Sequence, residues 1–234
     1  MAGNFENSAS VILKNVRLDF FDLFTPGAPM AEKDKTDPKK WKYKVKAIIE
    51  AGSPALQVAS AAMLDAATKL WGAANAANVI RSITANSKAV RNGNDVLMQD
   101  GSVNPAYKDM YFVSASNASK PQVVGPKLFN GKFVIITPQG RGLVDGLDVT
   151  EQLGYDLKAP YRGCYVNVKM QFVAGKSFKP PSGEVLPNQV FGRLEAVQFV
   201  RDGEAFGAGP TSAEGFGEEA VETSGATADA ASLF

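Results

Sequence analysis

Two stretches of the chain alternate between apolar and polar residues, and this alternation constrains the fold more than any other feature. In PYRGCYVNVKMQFV, residues 160–173, every second position from Cys164 to Phe172 is apolar. In WKYKVKAIIE, residues 41–50, lysines alternate with aromatic and aliphatic residues. A period of two is the pattern of a β-strand with one buried face. The sequence therefore predicts a protein built mainly from β-strands.

Short apolar runs between Gly and Pro residues recur along the chain, and one helical pattern interrupts them. Residues 52–71 read GSPALQVASAAMLDAATKLW, where Ser53 is a suitable N-cap, a proline follows it, and Gly72 ends the helix. A second short helix is predicted within residues 75–83, and the Asn-Gly pair of residues 91–95 predicts a tight hairpin turn. Five or more short strands with one inserted helix and elaborated loops favour a closed barrel of the OB type.

The charge of the chain changes sign near residue 202. The whole chain has a net charge of +1, but residues 1–202 carry +7 and residues 203–234 carry −6 without any Lys or Arg. This asymmetry is typical of a nucleic-acid-binding body with an acidic appendage. The last segment is rich in Gly, Ala, Ser and Thr, so its burial cannot offset the entropy of ordering it. We expect one domain over residues 1–202 and a disordered acidic tail over residues 203–234.

The acidic tail ends in an aromatic residue, which a purely solubilising segment does not need. Its candidate functional residues are Glu218, Glu219, Glu222, Asp229 and Phe234. An acidic segment that ends in a phenylalanine is suited to docking in a basic, aromatic-lined groove. A role in solubility alone is the other interpretation.

The lysines of residues 41–50 form the first candidate binding surface. Lys42, Lys44 and Lys46 occupy alternate positions, which are about 6.6–6.8 Å apart along a strand and close to the phosphate spacing of an extended nucleic acid. Three like charges in a row indicate contact with a polyanion. Trp41 and Tyr43 fall on the opposite face, where they either fill the barrel or stack on bases. Under both interpretations the lysines are exposed.

Aromatic rings and cations also alternate on the polar face of residues 160–173 and recur in residues 105–117. The predicted stacking residues there are Tyr107, Tyr111, Tyr161 and Tyr165, and the predicted phosphate contacts are Lys108, Arg162 and Lys169. Aromatic faces that stack on bases, combined with cations on the backbone, are the usual means of holding single-stranded nucleic acid. The alternative is that these tyrosines pack in the core. Cys164 is predicted to be a small buried hydrophobe.

The sequence lacks the residues and motifs that most enzymatic functions require. The chain has no histidine, and it contains neither a GxxxxGK[ST] loop nor a GxGxxG motif. A magnesium-dependent nuclease that uses Asp145, Asp148 and Glu151 is one alternative, and a structural or protein-docking module without DNA binding is another. We expect a non-catalytic protein without cofactor or metal.

The sequence also bears on the cellular compartment of the protein and on its oligomeric state. Residues 1–16 lack the pattern of a signal peptide, no run of eighteen apolar residues occurs, and Cys164 is the one cysteine. These features indicate a cytoplasmic protein without membrane contact. The sequence leaves open whether the protein is a monomer or a homodimer.

The motifs named above resemble those of a family of phage-encoded single-stranded DNA-binding proteins. The resemblance spans residues 8–208 and is carried by YRGCYVNV at 161–168 and LEAVQFVRDGE at 194–204, together with YKVKAIIE at 43–50. It implies an OB-fold body that binds single-stranded DNA with little sequence preference during phage DNA replication or recombination in the bacterial cytoplasm. It also implies a C-terminal tail that competes with DNA and recruits replication or recombination proteins.

Overall fold

The computed structural model describes residues 4–29, 32–179 and 185–206, and most of its regular structure is β-strand. The strands are β1 (Phe5–Asn7), β2 (Val11–Gly27), β3 (Lys42–Glu50), β4 (Val90–Asn92), β5 (Met110–Asn117), β6 (Gln122–Phe129), β7 (Lys132–Ile136), β8 (Gly142–Val144), β9 (Leu147–Asp148), β10 (Tyr165–Gly175) and β11 (Gln189–Arg201). The helices are α1 (Glu32–Lys35), α2 (Pro54–Trp71) and α3 (Ala73–Ser82).

Five of these strands close into a barrel. β2 pairs with β3 and β3 with β5 in antiparallel fashion, and β5 then pairs with β11 in parallel. β11 pairs antiparallel with β10, and β10 returns to β2 to complete the ring. Numbered along the chain, the barrel strands follow the order 1-2-3-5-4, which is a Greek-key barrel of the OB type. The fold class predicted from the alternating stretches is confirmed.

The barrel interior is filled by the apolar face that the alternation in β10 predicts. Val166, Val168, Met170 and Phe172 are fully buried, and so is Cys164 just before the strand. Facing residues of the other barrel strands complete the same core. Each strand with one polar and one apolar face can therefore bury the apolar side completely while presenting the polar side outward.

The helix α2 begins and ends where its capping residues predict. The Oγ of Ser53 accepts a hydrogen bond from the Leu56 backbone N–H at 3.3 Å, and Gly72 ends the helix at a φ of 81°. The residues that α2 buries are mostly alanines, whereas Leu64 is exposed. Small side chains allow the helix to approach β2 and β10 closely, so alanine rather than leucine forms the packed face.

The second predicted helix is present as α3, but the hairpin predicted around residues 91–95 is wrong. The strand β4 pairs with the distant β5, with Val90 opposite Val113. Gly93 begins a short 3-10 turn and lies so close to the Tyr107 carbonyl that a Cβ would sit 2.1 Å from it. The glycine therefore serves a close backbone contact. None of the helices in the described ranges has the length and hydropathy needed to cross a membrane.

A four-stranded arm extends the barrel sheet beyond β11. β6 pairs in parallel with β11, and β7, β8 and β9 follow as antiparallel neighbours. Val134 and Ile136 of this arm belong to the same buried cluster as the barrel core. The arm therefore shares the barrel's hydrophobic core.

A β-bulge in β2 turns the side chain of Phe20 to the outer face of the strand. Leu18 pairs with Ala47, but Phe20 pairs with Lys46, so Asp19 is the extra residue. Alternation along SVILKNVRLDFF would put Phe20 on the same side as Val16 and Leu18, which are buried, whereas the bulge leaves its ring 47% exposed. One inserted residue is enough to move the following side chain to the other face.

Candidate nucleic-acid interface

A groove of about 850 Å³ lies over the outward faces of β2, β3 and β5. The chain before β4 and the first residues of β11 form its borders. Its charged and aromatic lining consists of Lys44, Lys46, Lys88, Arg91, Arg162, Asp19, Asp22, Phe20 and Phe191. Five cations face two carboxylates, so the groove is electropositive and attracts polyanions.

Lys46 is a cation held against two aromatic rings at the groove floor. Its Nζ lies 4.3 Å from the centre of the Tyr107 ring and 4.6 Å from that of Phe112. Burial lowers the pKa of Lys46, while the carboxylate of Asp19, 3.6 Å away, opposes that effect. The rings and the carboxylate fix the position of the ammonium group before any ligand arrives.

Asp19 connects the groove residues Lys46 and Arg162 with the buried Tyr107. Its Oδ1 accepts from Nη2 of Arg162 at 3.0 Å, and its backbone carbonyl accepts from Nε of the same guanidinium at 2.7 Å. The hydroxyl of Tyr107 donates to its Oδ2. Asp19 is buried, with an exposed fraction of 8%. It thereby holds Lys46 and Arg162 side by side, with the Arg162 side chain still largely exposed.

The expectation of three exposed lysines on β3 needs correction. Lys42 is exposed, but Lys44 and Lys46 are half-buried. Nζ of Lys44 donates to the Ala28 carbonyl at 2.6 Å and lies 3.8 Å from Asp22. Since two of the three ammonium groups already have protein partners, their interaction with phosphate includes a cost of partner exchange.

The predicted aromatic residues of this region do not line the groove as open rings. Tyr107 is only 3% exposed and lies beneath Lys46, so its burial contradicts the predicted stacking role. Tyr111 lines a neighbouring cleft against α2 and α3, which shares Lys88 and Arg91 with the groove but leaves Tyr111 outside it. Trp41 donates from Nε1 to the Lys35 carbonyl at 3.0 Å, and Tyr43 is half-buried on the side of β3 that faces the core. Lys108 is exposed on the turn before β5 and does not line the groove.

The outward face of β10 forms a second surface, away from the groove. Tyr165 stacks under Arg201, whose guanidinium carbon lies 3.5 Å from the ring centre. Lys169 pairs with Glu195 at 3.5 Å and lines a cleft of about 290 Å³ that shares no lining residue with the groove. Of the twelve predicted DNA contacts, the groove thus brings together Lys44, Lys46 and Arg162.

The groove also contains functional candidates that sequence reasoning missed. Phe20 offers an exposed ring in the groove because of the bulge at Asp19. Lys88 and Arg91 reach the groove from the chain around β4, and no carboxylate of the described residues forms an ion pair with either. The signal for Phe20 was hidden by the bulge, and the two cations lie in a stretch without alternation.

The last described residues of the chain are fastened beside the groove. The backbone N–H of Phe206 donates to the Arg162 carbonyl at 3.1 Å. Nη2 of Arg17 donates to the Glu204 carbonyl at 2.7 Å, and the Arg17 guanidinium lies over the Phe206 ring. The Tyr161 hydroxyl accepts from the Gly203 N–H at 3.0 Å. We call residues 203–206 the tail root.

Two glycines permit the close approach of the two chain segments at the tail root. A Cβ on Gly163 would lie 2.1 Å from the Glu204 carbonyl oxygen, and Gly163 has a φ of 103°. A Cβ on Gly203 would lie 2.2 Å from the Gly163 carbonyl oxygen. Tyr161, predicted as a stacking residue, instead uses its hydroxyl at the tail root. The predicted tail residues Glu218, Glu219, Glu222, Asp229 and Phe234 lie outside the described residues.

Two of the three carboxylates of the nuclease alternative, Asp145 and Asp148, are separately engaged. Asp145 pairs with Lys132, and Asp148 lies 3.3 Å from Nε of Arg141. Hydrogen bonds from Thr150 lower the pKa of Asp148. Within residues 4–29, 32–179 and 185–206, no cluster of His, Cys, Asp or Glu is arranged to hold a metal ion.

The closed barrel places this chain in the class of OB-type barrel proteins, an architecture that binds oligonucleotides or oligosaccharides. The sequence profile of a family described as "Enterobacter phage Enc34, ssDNA-binding protein" matches residues 9–226. The chain belongs to this family of phage single-stranded DNA-binding proteins. The resemblance noted in the sequence is thereby confirmed.

Individual relatives are distant in sequence. Protein p50 of Acyrthosiphon pisum secondary endosymbiont phage 1 is 27% identical over 212 residues, which cover 87% of this chain and 90% of p50. A C-terminally truncated single-stranded DNA-binding protein of bacteriophage Enc34 superposes with a TM-score of 0.52 at 16% identity, covering 84% of this chain and 88% of that one. The Enc34 protein in complex with single-stranded DNA gives a TM-score of 0.47 at 15% identity, with coverage of 85% and 89%.

Proposed function

We propose that this protein binds single-stranded DNA in the groove between β2, β3 and β5, with little sequence preference and without catalysis. The observation that carries the proposal is the combination of five cations with the exposed ring of Phe20 in one groove. Cations meet phosphates and an aromatic face accepts any base, so this combination does not depend on sequence. Membership in a phage single-stranded DNA-binding family supports the same function.

The proposed contacts follow from the position of each side chain. Lys44, Lys46 and Arg162 meet phosphates inside the groove, with Lys88 and Arg91 at its border. Lys42 lies two residues before Lys44 on the same face of β3 and extends the row of cations. The predicted contacts Lys108, Tyr165 and Lys169 lie outside the groove and serve only a strand that continues around the barrel.

Titration of labelled oligo(dT) over a range of salt concentrations tests the proposal. If five groove cations release counterions from a single strand, log K falls with log salt at a slope of about −3.5. Absence of salt-sensitive binding would favour the phage structural or protein-docking module. Intact oligonucleotide after incubation with Mg²⁺ is also expected, since degradation would favour the nuclease.

The acidic tail is proposed to compete with DNA for the groove. The tail root fixes its starting point beside Arg162, whose side chain lines the groove. Residues 207–234 carry five carboxylates and no base, and 28 residues span at most about 95 Å when extended. The tail therefore has the charge and the reach to cover the groove, and its tethering raises its effective concentration there.

Truncation after Phe206 tests this competition without disturbing the tail root. The truncated protein should bind oligo(dT) more tightly at low salt, and the gain should shrink as salt screens the tail. Equal affinities of the two proteins at about 50 mM salt would reject competition, because electrostatic effects are strong there.

The displaced tail is further proposed to recruit replication or recombination proteins in the bacterial host cytoplasm. The Phe234→Ala variant lacks the terminal ring, so it should lose recruitment. Because it keeps all the carboxylates, its DNA affinity should change little. Co-purification of replication proteins with each form from infected cells measures this. Unchanged recruitment by Phe234→Ala would reject a role for the terminal ring.

A further inference from the structure

Three phenylalanine rings form a row that begins inside the groove and leaves it. The ring centres of Phe191 and Phe5 are 6.4 Å apart, and those of Phe5 and Phe178 are also 6.4 Å apart. Both pairs meet edge to face. Phe191 lines the groove, whereas Phe5 and Phe178 are not among the residues that line it. We call these three residues the phenylalanine row.

Phe5 is held at the surface by the strand pairing of β1. It lies opposite Gly175 of β10, and a Cβ on that glycine would sit 2.7 Å from the Phe5 ring. The missing side chain thus lets the ring lie flat against the end of β10. Phe5 nevertheless remains 45% exposed.

Two lysines lie close to Phe178 in the chain. Lys176 and Lys179 are exposed on either side of Phe178 in the chain. Among the described residues, neither has a carboxylate within ion-pair distance. Glu6 follows Phe5 in β1, where alternation directs its side chain to the opposite face. The exposed ring of Phe5, with two half-buried rings beside it and two exposed lysines near Phe178 in the chain, is suited to an anionic ligand with flat apolar groups.

We propose that the phenylalanine row is an additional subsite for the unpaired bases of a single strand where it leaves the groove. The inference rests on the proposed function of the groove. Phe191 connects the two surfaces, so a strand that lies on Lys44 and Lys46 continues across β11 towards Phe5. Stacking on these rings takes any base, while Lys176 and Lys179 approach the adjoining phosphates. The subsite lengthens the stretch of DNA that one protein molecule covers.

A length series of oligonucleotides tests the subsite separately from the groove. Full-length wild-type protein and Phe5→Leu are titrated with oligo(dT) of increasing length, from about 4 to about 16 nucleotides. Leucine keeps apolar contact with Phe178 and Phe191 but removes the aromatic face. Phe5→Tyr keeps a ring, and Leu128→Ala is the control for loss of an exposed apolar side chain, because Leu128 is 54% exposed on β6 and lines neither the groove nor the cleft of Lys169.

The expected result is a loss that depends on length. Phe5→Leu should bind the shortest oligonucleotides as wild type does and the long ones roughly five- to hundred-fold more weakly, as expected for one or more lost stacking contacts. Phe5→Tyr and Leu128→Ala should follow the wild-type curve. An equal loss at every length, or no loss at any length, would overturn the subsite. If wild-type protein binds no oligonucleotide, the proposed function itself fails.

Discussion

The guanidinium carbon of Arg17 lies 4.1 Å from the centre of the Phe206 ring, and this contact fastens the last described residues to the barrel. Phe206 also packs against Ile48, Tyr107 and Phe112, the small cluster whose rings support Lys46. The tail root and the groove floor therefore share one set of side chains. The point at which the acidic tail leaves the barrel is set by these contacts.

Arg17→Ala should weaken the effect of the tail on DNA binding. Without the guanidinium, the tail root loses a hydrogen bond to Glu204 and the contact with Phe206, so the tail starts from a less defined position. The measured quantity is the ratio of oligo(dT) dissociation constants for full-length and Phe206-truncated protein at low salt. In the Arg17→Ala background this ratio should be about two- to five-fold closer to one than in the wild-type background, since a cation–π contact contributes about 0.5–1 kcal/mol at exposed sites.

The ratio removes any direct contribution of Arg17 to DNA contact, since both proteins carry the same substitution. Arg201→Ala is the matched control, because Arg201 also stacks on a ring, that of Tyr165, without touching Phe206. A ratio unchanged by Arg17→Ala would show that the tail acts independently of its root. A ratio of one in the wild-type background would instead reject competition by the tail.

Phe20→Ala should reduce the affinity for oligo(dT) by about 1–3 kcal/mol, as expected for loss of a stacking ring. The melting temperature should change little, because the ring is about half exposed and contributes little to the core. Fluorescence titration and thermal unfolding measure the two effects. Leu128→Ala, on β6 of the arm, should leave the affinity unchanged, because Leu128 is exposed and lines neither the groove nor the cleft of Lys169. A large drop in melting temperature for Phe20→Ala would show that the ring is structural.

Much of the fold could be predicted because burial is periodic along the barrel strands. The alternation around Val168 fixed which face of β10 is inside, and Ser53 and Gly72 fixed the ends of α2. The pairing of β4 with β5 could not be predicted, since it joins residues distant in sequence. The Asn-Gly pair at Asn92 is a local signal, and the tertiary contact of Gly93 with Tyr107 overrode it.

The site was less predictable than the fold, because it depends on one bulge and on partners across strands. The bulge at Asp19 exposes Phe20, and no pattern in the sequence marks it. Tyr107 and Lys46 look like a ring and a cation available to DNA, yet in the structure each is the other's partner. Composition gives the kinds of residue at an interface, but the three-dimensional pairing decides which of them remain free.

Cys164 should make stability fall at high pH. Burial raises the pKa of its thiol from 9.0 to about 11. The unfolded chain therefore releases this proton first as pH rises through 9, so the free energy of unfolding falls by up to about 1.4 kcal/mol per pH unit until the folded thiol titrates. Urea unfolding of wild type and Cys164→Ala measures the free energy of unfolding of each protein from about pH 8 to about pH 11, a range that includes the ordinary and the raised thiol pKa. The free energy of wild type should fall more steeply with pH than that of Cys164→Ala. Parallel curves for the two proteins would contradict a buried neutral thiol.

Lys88→Ala should flatten the salt dependence of DNA binding more clearly than Lys44→Ala. Lys44 already interacts with Asp22 and the Ala28 carbonyl, so removing it also frees a carboxylate that repels phosphate, and the two effects are mixed. Lys88 has no carboxylate partner in the described residues, and its loss should change the slope of log K against log salt by about 0.7, one phosphate contact on a single strand. Lys132→Ala is the control, because Lys132 pairs with Asp145 on the arm. Equal slopes for Lys88→Ala and wild type would place the DNA backbone away from the β4 border of the groove.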